Sequence, residues 1–171
     1  RFGELRAVLR NRTAILTLAG SAALIAVNWC LYVWAIQNGH VYAASLGYYI
    51  LPLTMMLLGL VFLGERLTRR QWGAVALAGI GVSALTAGAL TTLWVSLACA
   101  LTFGVYGLLR KTVAAGPLVG LGVEALLLAP VAIGLLGWLG LAGGGLVFGR
   151  DGLETAAIIA GGPLTAIPLI L

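Results

Sequence analysis

Acidic residues are scarce in this chain: five against ten basic ones, with one histidine and two cysteines in 171 residues. Charged side chains make up only 9% of it, where soluble domains carry roughly a quarter. An ordinary water-soluble globule is therefore excluded. A lone histidine cannot build a metal site, no H-E-x-x-H or G-x-S-x-G stretch occurs, and no two acids share an apolar run. These absences argue against an enzyme and leave no cofactor to expect. Repeated polar rings or a filter-like backbone loop, which a channel would need, are not visible either. Cys30 and Cys99 fall inside apolar runs, so they are expected as small buried packing groups and not as a disulfide framework. The basic excess does not suggest nucleic acid as a partner, because its residues punctuate hydrophobic segments and so carry topology information.

What the chain has is apolar length: 61% of residues are hydrophobic and the mean hydropathy is +1.09. Its partner is the lipid bilayer. Between His40 and Glu65 lie 24 residues without a formal charge. At about 1.5 Å per residue these reach roughly 36 Å, enough to cross a hydrocarbon layer of about 30 Å. Similar runs predict spans over about 13–36, 41–64, 71–88, 92–110, 118–141 and 155–171, an all-α polytopic bundle with six crossings. The third and fourth come from one charge-free run of 39 residues, divided by a weak-turn cluster at Thr86–Thr92. Asn38-Gly39 supplies a turn between the first two spans, and Gly143-Gly144-Gly145 through Arg150-Asp151 a loop before an irregular sixth helix. Glycines Gly73, Gly79 and Gly81 of the third span, and Gly134, Gly137 and Gly140 of the fifth, are expected as close-packing faces, since helices in lipid associate through small residues. The opening residues do not read as a cleavable signal peptide. The chain starts with arginine and ends in an uncharged apolar run, as an internal stretch of a longer membrane protein would.

Placing residues 1–12 in the cytoplasm puts nine of the ten basic residues there, with only Arg150 outside. Trp34, Trp94 and Trp138 then fall toward the outer boundary and Trp72 toward the inner one, as aromatic belts require.

Several side chains inside the spans carry chemistry. Ser45, Tyr48, Tyr49, Pro52, Met56 and Gly59 recur at spacings of three or four and form a stripe along the second span. In a bilayer such a stripe turns toward protein or a water-filled cavity. Tyr48 and Tyr49 offer a phenol's apolar body and polar tip to an amphipathic solute; the other reading is plain packing, with Pro52 freeing a backbone carbonyl for a hydroxyl. Asn28, with Tyr32 one turn on, either contacts a solute or makes an interhelical hydrogen bond worth about 0.6 kcal/mol. Tyr106 is a further lining candidate nearer the inner end. Glu124, the one acid within a span, either carries a coupling proton or pairs with Arg110 or Lys111, and its depth of roughly 9 Å favours the pairing. Glu65-Arg66 reads as a helix stop in preference to an inner gate. His40 reads as a solvated loop residue or an interfacial anchor, and Arg150-Asp151 as a solvated turn.

Val27-Asn28-Trp29, Tyr32, Trp34-Ala35, Asn38-Gly39-His40, Ala44-Ser45-Leu46-Gly47-Tyr48, Pro52-Leu53 and Leu63-Gly64-Glu65-Arg66-Leu67 together resemble the drug/metabolite transporter superfamily, EamA-type and RarD-like. Phe103-Gly104-Val105-Tyr106-Gly107 and Gly161-Gly162-Pro163-Leu164-Thr165-Ala166 fit the same pattern. The resemblance covers nearly the whole chain and is weakest over residues 135–155. It implies a ten-helix fold of two inverted repeats, of which this chain holds the third to the eighth helix. Residues 1–88 would end the first repeat and residues 89–171 begin the second. It implies a secondary transporter moving small metabolites or drugs across the bacterial inner membrane by alternating access, with the first, second and fourth spans facing the path. A small-molecule substrate is the implied partner, and a homodimer stays open as an assembly. A non-transporting scaffold or channel-like subunit is the competing reading.

Overall fold

The structure, a computed structural model, describes residues 2–86, 90–113, 115–141 and 151–170. Among them every regular element is helical: α1 (Phe2–Arg10), α2 (Arg12–Gln37), α3 (Val41–Phe62), α4 (Arg69–Thr86), a 3-10 turn (Leu90–Thr92), α5 (Leu93–Thr112), α6 (Pro117–Leu141) and α7 (Gly152–Ile170). α2, α3, α6 and the stretch Leu90–Thr112 are long and apolar enough to cross a membrane. With their many exposed large apolar side chains, such as Leu16 and Val61, they make this an all-α multi-pass membrane protein. α4 opens on Arg69 and Arg70, which dilutes its hydropathy.

The helix ends follow local chemistry. Asn11 caps α2, its Oδ1 accepting from the amides of Thr13 (3.0 Å) and Ala14 (3.3 Å). At the other end the expected Asn-Gly turn forms. Gly39 takes φ +78°, and the His40 amide folds back on the Ala35 carbonyl at 2.7 Å. α3 runs unbroken through Pro52 and stops at Gly64, whose φ of +64° lets the Glu65 amide return to the Gly59 carbonyl at 3.2 Å. Thr68 and Gln71 close a reciprocal capping box on α4. α7 starts three residues before the expected re-entry, because Asp151 caps it rather than sitting in a solvated turn: its carbonyl accepts from the Thr155 amide at 3.0 Å. The backbone of α7 stays helical to Ile170, where an irregular helix was expected. The proposed repeat boundary at 88–89, the triple glycine and Arg150 lie outside the described residues.

Residues 1–120 form one compact unit and residues 121–171 a second. In the first, α5 is the helix against which both α2 and α3 pack most extensively, while α4 lies along α3 and α1 along α2. The α3–α5 seam is close. A Cβ on Gly47 would sit 3.0 Å from the Ser96 carbonyl oxygen and 3.1 Å from Cys99 Cβ; one on Gly104 would meet Thr54 Cγ2 at 2.9 Å and Leu58 Cδ1 at 3.0 Å. The buried Ser96 hydroxyl donates to the Ala43 carbonyl across the seam at 2.7 Å. Small residues do bring helices together here, as lipid demands, but at different glycines from those expected. Gly73, Gly79, Gly81, Gly134 and Gly137 have nothing within 4 Å of where a Cβ would stand. For the first three the reason is that α4 buries none of its residues. Cys99 is buried at the seam as expected, whereas Cys30 is exposed on α2, beside Ala26, Leu31, Trp34 and Trp94 in an apolar groove.

Because the clash at Gly47 is partly with backbone, Gly47→Leu is expected to destabilise the full-length protein in detergent by about 1–3 kcal/mol. Gly73→Leu, with open space around it, should change it by less than about 1 kcal/mol. Thermal unfolding of the two variants beside wild type checks the contrast.

Candidate functional site

Where α2, α3 and α5 meet, the sequence supplies an amide under a row of aromatic rings. Asn28 on α2 is 3% exposed. Its Nδ2 donates to the Cys99 carbonyl at 2.8 Å and to Thr102 Oγ1 at 2.9 Å, both on α5. The interhelical hydrogen bond weighed for this residue therefore exists. Above it the rings step from helix to helix. Trp29 meets Tyr32 at 6.3 Å between centroids, Tyr32 meets Tyr48 at 5.6 Å, Tyr48 meets Phe103 at 6.4 Å and Phe103 meets Tyr106 at 5.5 Å. All four contacts are edge-to-face, the arrangement that ring quadrupoles favour. Asn28, Gly47, Tyr48, Leu51, Cys99 and Phe103 line a crevice with no room for a water molecule.

Of the expected lining residues, Asn28, Tyr32, Tyr48 and Tyr106 are thus brought together. Ser45, Tyr49 and Pro52 are not. Successive residues of a helix are turned by 100°, so these three lie on the side of α3 opposite Ala43, Gly47, Ile50 and Thr54, which serve the α5 side. All three are exposed. Tyr48, 44% exposed, stands at the edge between the two faces. Phe103 and Thr102 were not anticipated. Their signal was present: Cys99, Thr102, Phe103 and Tyr106 recur at spacings of three or four, which places them on one side of α5.

The ends of the seam are also tied. At one, Trp34 of α2 stacks obliquely on Trp94 (5.7 Å between centroids) and on His40 (5.8 Å). His40 is partly covered, an interfacial anchor more than a solvated loop residue. At the other, Lys111 Nζ of α5 pairs with Glu65 Oε1 at 3.2 Å, both side chains about half exposed at 53% and 50%. Glu65 folds over Gly59, where a Cβ would come within 2.5 Å of its Oε2. An exposed pair of this kind contributes about 1 kcal/mol at most. Glu65 is more than a helix stop, since it joins the ends of α3 and α5. Glu124 on α6 is 2% exposed. Arg110 donates from Nη2 to the Pro117 carbonyl at 3.1 Å, its guanidinium filling the space a Cβ at Gly120 would need.

A double-mutant cycle on Asn28→Ala and Thr102→Val in the full-length protein should give a coupling free energy of about 0.6–1.7 kcal/mol, the range measured for such bonds between membrane helices. Additive effects would mean that the bond contributes nothing to stability.

The model of the EamA-like transporter family matches residues 3–87. An uncharacterised transporter of Pseudomonas aeruginosa is 45% identical over 98% of this chain and 56% of its own length. Protein RarD of Streptomyces exfoliatus is 42% identical over 99% of this chain and 54% of that protein, and protein RarD of Salmonella typhimurium 41% identical over 98% and 57%. The chain thus spans a little over half the length of these relatives. No solved structure matches it. Spanning-length apolar helices and relatives aligned along almost its whole length agree, and the chain belongs to the EamA-like transporter family, in its RarD-like branch.

Proposed function

We propose that the full-length protein is a secondary transporter that moves small organic solutes across the bacterial inner membrane by alternating access. The solute contacts are Asn28, Tyr32, Tyr48 and Tyr106, with Phe103 added. The observation that carries this reading is the row of rings above the Asn28 amide, drawn from three helices and with Tyr48 open at its edge. A path for amphipathic solutes needs groups with an apolar body and a polar tip, which tyrosines supply. Ser45, Tyr49 and Pro52, exposed on the other side of α3, stay in the proposal as a separate water-facing surface. The loop charges support a cytoplasmic N-terminus for this chain. A ten-helix inverted repeat completes the proposal, since an odd number of helices per half gives the two halves opposite orientation. Glu124, an acid on a spanning helix and 2% exposed, is the candidate for proton coupling, because carboxylates within spanning segments serve in proton relays.

Solute flux in vesicles holding the full-length protein tests this, with a panel of aromatic and amphipathic metabolites followed by mass spectrometry. Asn28→Ala and Tyr48→Ala should each lower flux at least about tenfold at equal protein level, the loss of roughly 1.4 kcal/mol of solute contact. Unchanged flux in both would remove these residues from the site. In the same assay Glu124→Gln should abolish the response to an imposed pH gradient, and an unaltered response would exclude it as the proton carrier.

A further inference from the structure

The orientation of the Asn28 amide is set by its surroundings. The Cys99 carbonyl can only accept, so the atom 2.8 Å from it must be the amide nitrogen. The Thr102 hydroxyl points its own proton at the Ala98 carbonyl, 2.7 Å away, and at the Cys99 carbonyl, 3.2 Å away. It therefore offers Asn28 only a lone pair, which takes the second Nδ2 proton at 2.9 Å. Both amide protons are committed to α5. Among the described residues, the Oδ1 of this 97%-buried side chain (3% exposed) meets no donor. Asn28 lines the crevice, and its Oδ1 is not among the side-chain atoms sealed away without a partner, so it is on the crevice side that a donor reaches it. The crevice lies beneath Tyr48 and Phe103, so what donates must fit against aromatic rings.

We propose that Asn28 Oδ1, held in place by Thr102 and the Cys99 carbonyl, is a specificity determinant that selects solutes carrying an N–H or O–H donor next to an aromatic ring. This rests on the transport reading above and names the solute class of the same site. Thr102 acts as a positioning residue: it never touches the solute, but by accepting from Nδ2 it keeps the oxygen turned away from α5. The crevice has no room for a water molecule, so taking up a solute requires its walls to part.

The test uses matched probes on the full-length protein in detergent: phenethyl alcohol against its methyl ether, and acetanilide against N-methylacetanilide. In each pair methylation removes the donor and keeps the ring. Ligand-observed NMR titration should show wild type binding the donor-bearing member about tenfold more tightly, the scale of one hydrogen bond. Asn28→Ala should bind both members alike. Thr102→Val should narrow the discrimination while leaving the methylated probe unaffected, a pattern that loss of folding does not produce. Equal affinities within each pair in wild type, discrimination that persists in Asn28→Ala, or failure of both donor-bearing probes to bind would each overturn the assignment. Tyr48→Ala separates the two readings. If it weakens both members of a pair equally while methylation has no effect, only the acceptor assignment fails. If it changes neither, the site itself fails.

Discussion

Lipid gives helices almost no hydrophobic reason to adhere to one another, and the architecture of this chain answers that constraint at α5. Its contacts with α3 rest on glycines that let backbones approach and on polar groups that have nowhere else to go. Gly47 lies on the Ser96 carbonyl, Gly104 on Thr54, and the Ser96 hydroxyl on the Ala43 carbonyl. The Asn28 amide does the same work toward α2. Each bond is weak by the measure of membrane proteins, about 0.6 kcal/mol, so the set acts through number and registration along the seam. The tryptophan contact at one end and the Glu65–Lys111 pair at the other close the same seam where water is available.

The groups that hold the helices together are also those that shape the candidate site. Asn28 and Thr102 join α2 to α5, and the same Asn28 lines the crevice with Tyr48 and Phe103. Tyr48 belongs to the α3 side of the seam yet remains 44% exposed. A moving helix could break few bonds and still alter the surroundings of a solute, which is the economy that a transporter cycling between two arrangements requires.

Much of the fold was legible because spanning helices announce themselves through length and charge. Expected limits for the α2 span, 13–36, lie within a residue of Arg12–Gln37, and Asn38-Gly39 made the turn its chemistry implies. Asp151 was read as a solvated turn although Asp-x-x-Glu before an apolar run is a capping pattern, and it caps α7. The glycine faces were harder. Gly73 and Gly47 have the same chemistry, and only the neighbouring helix decides which one lies at a contact. Of the stripe expected on α3, Ser45, Tyr48, Tyr49 and Pro52 are exposed, Met56 is half-buried and Gly59 is buried. Periodicity could not tell that Tyr48, 100° away, would join rings from α2 and α5. Phe103 was passed over although it shares one side of α5 with Cys99, Thr102 and Tyr106, because that spacing does not say which helix the side faces.

The central claim is that the Ser45–Tyr49–Pro52 side of α3 meets water inside the transporter while the outer faces of the bundle meet acyl chains. Single thiols placed at Tyr49, Pro52 and Leu77, after Cys30 and Cys99 are replaced by alanine, measure this in sealed vesicles of the full-length protein. Leu77, on α4, is 73% exposed and apolar. A membrane-impermeant maleimide is predicted to label the thiols at 49 and 52 and leave the one at 77 untouched. If all three stay unlabelled from both sides of the membrane, α3 turns that face to lipid or protein and the account is wrong.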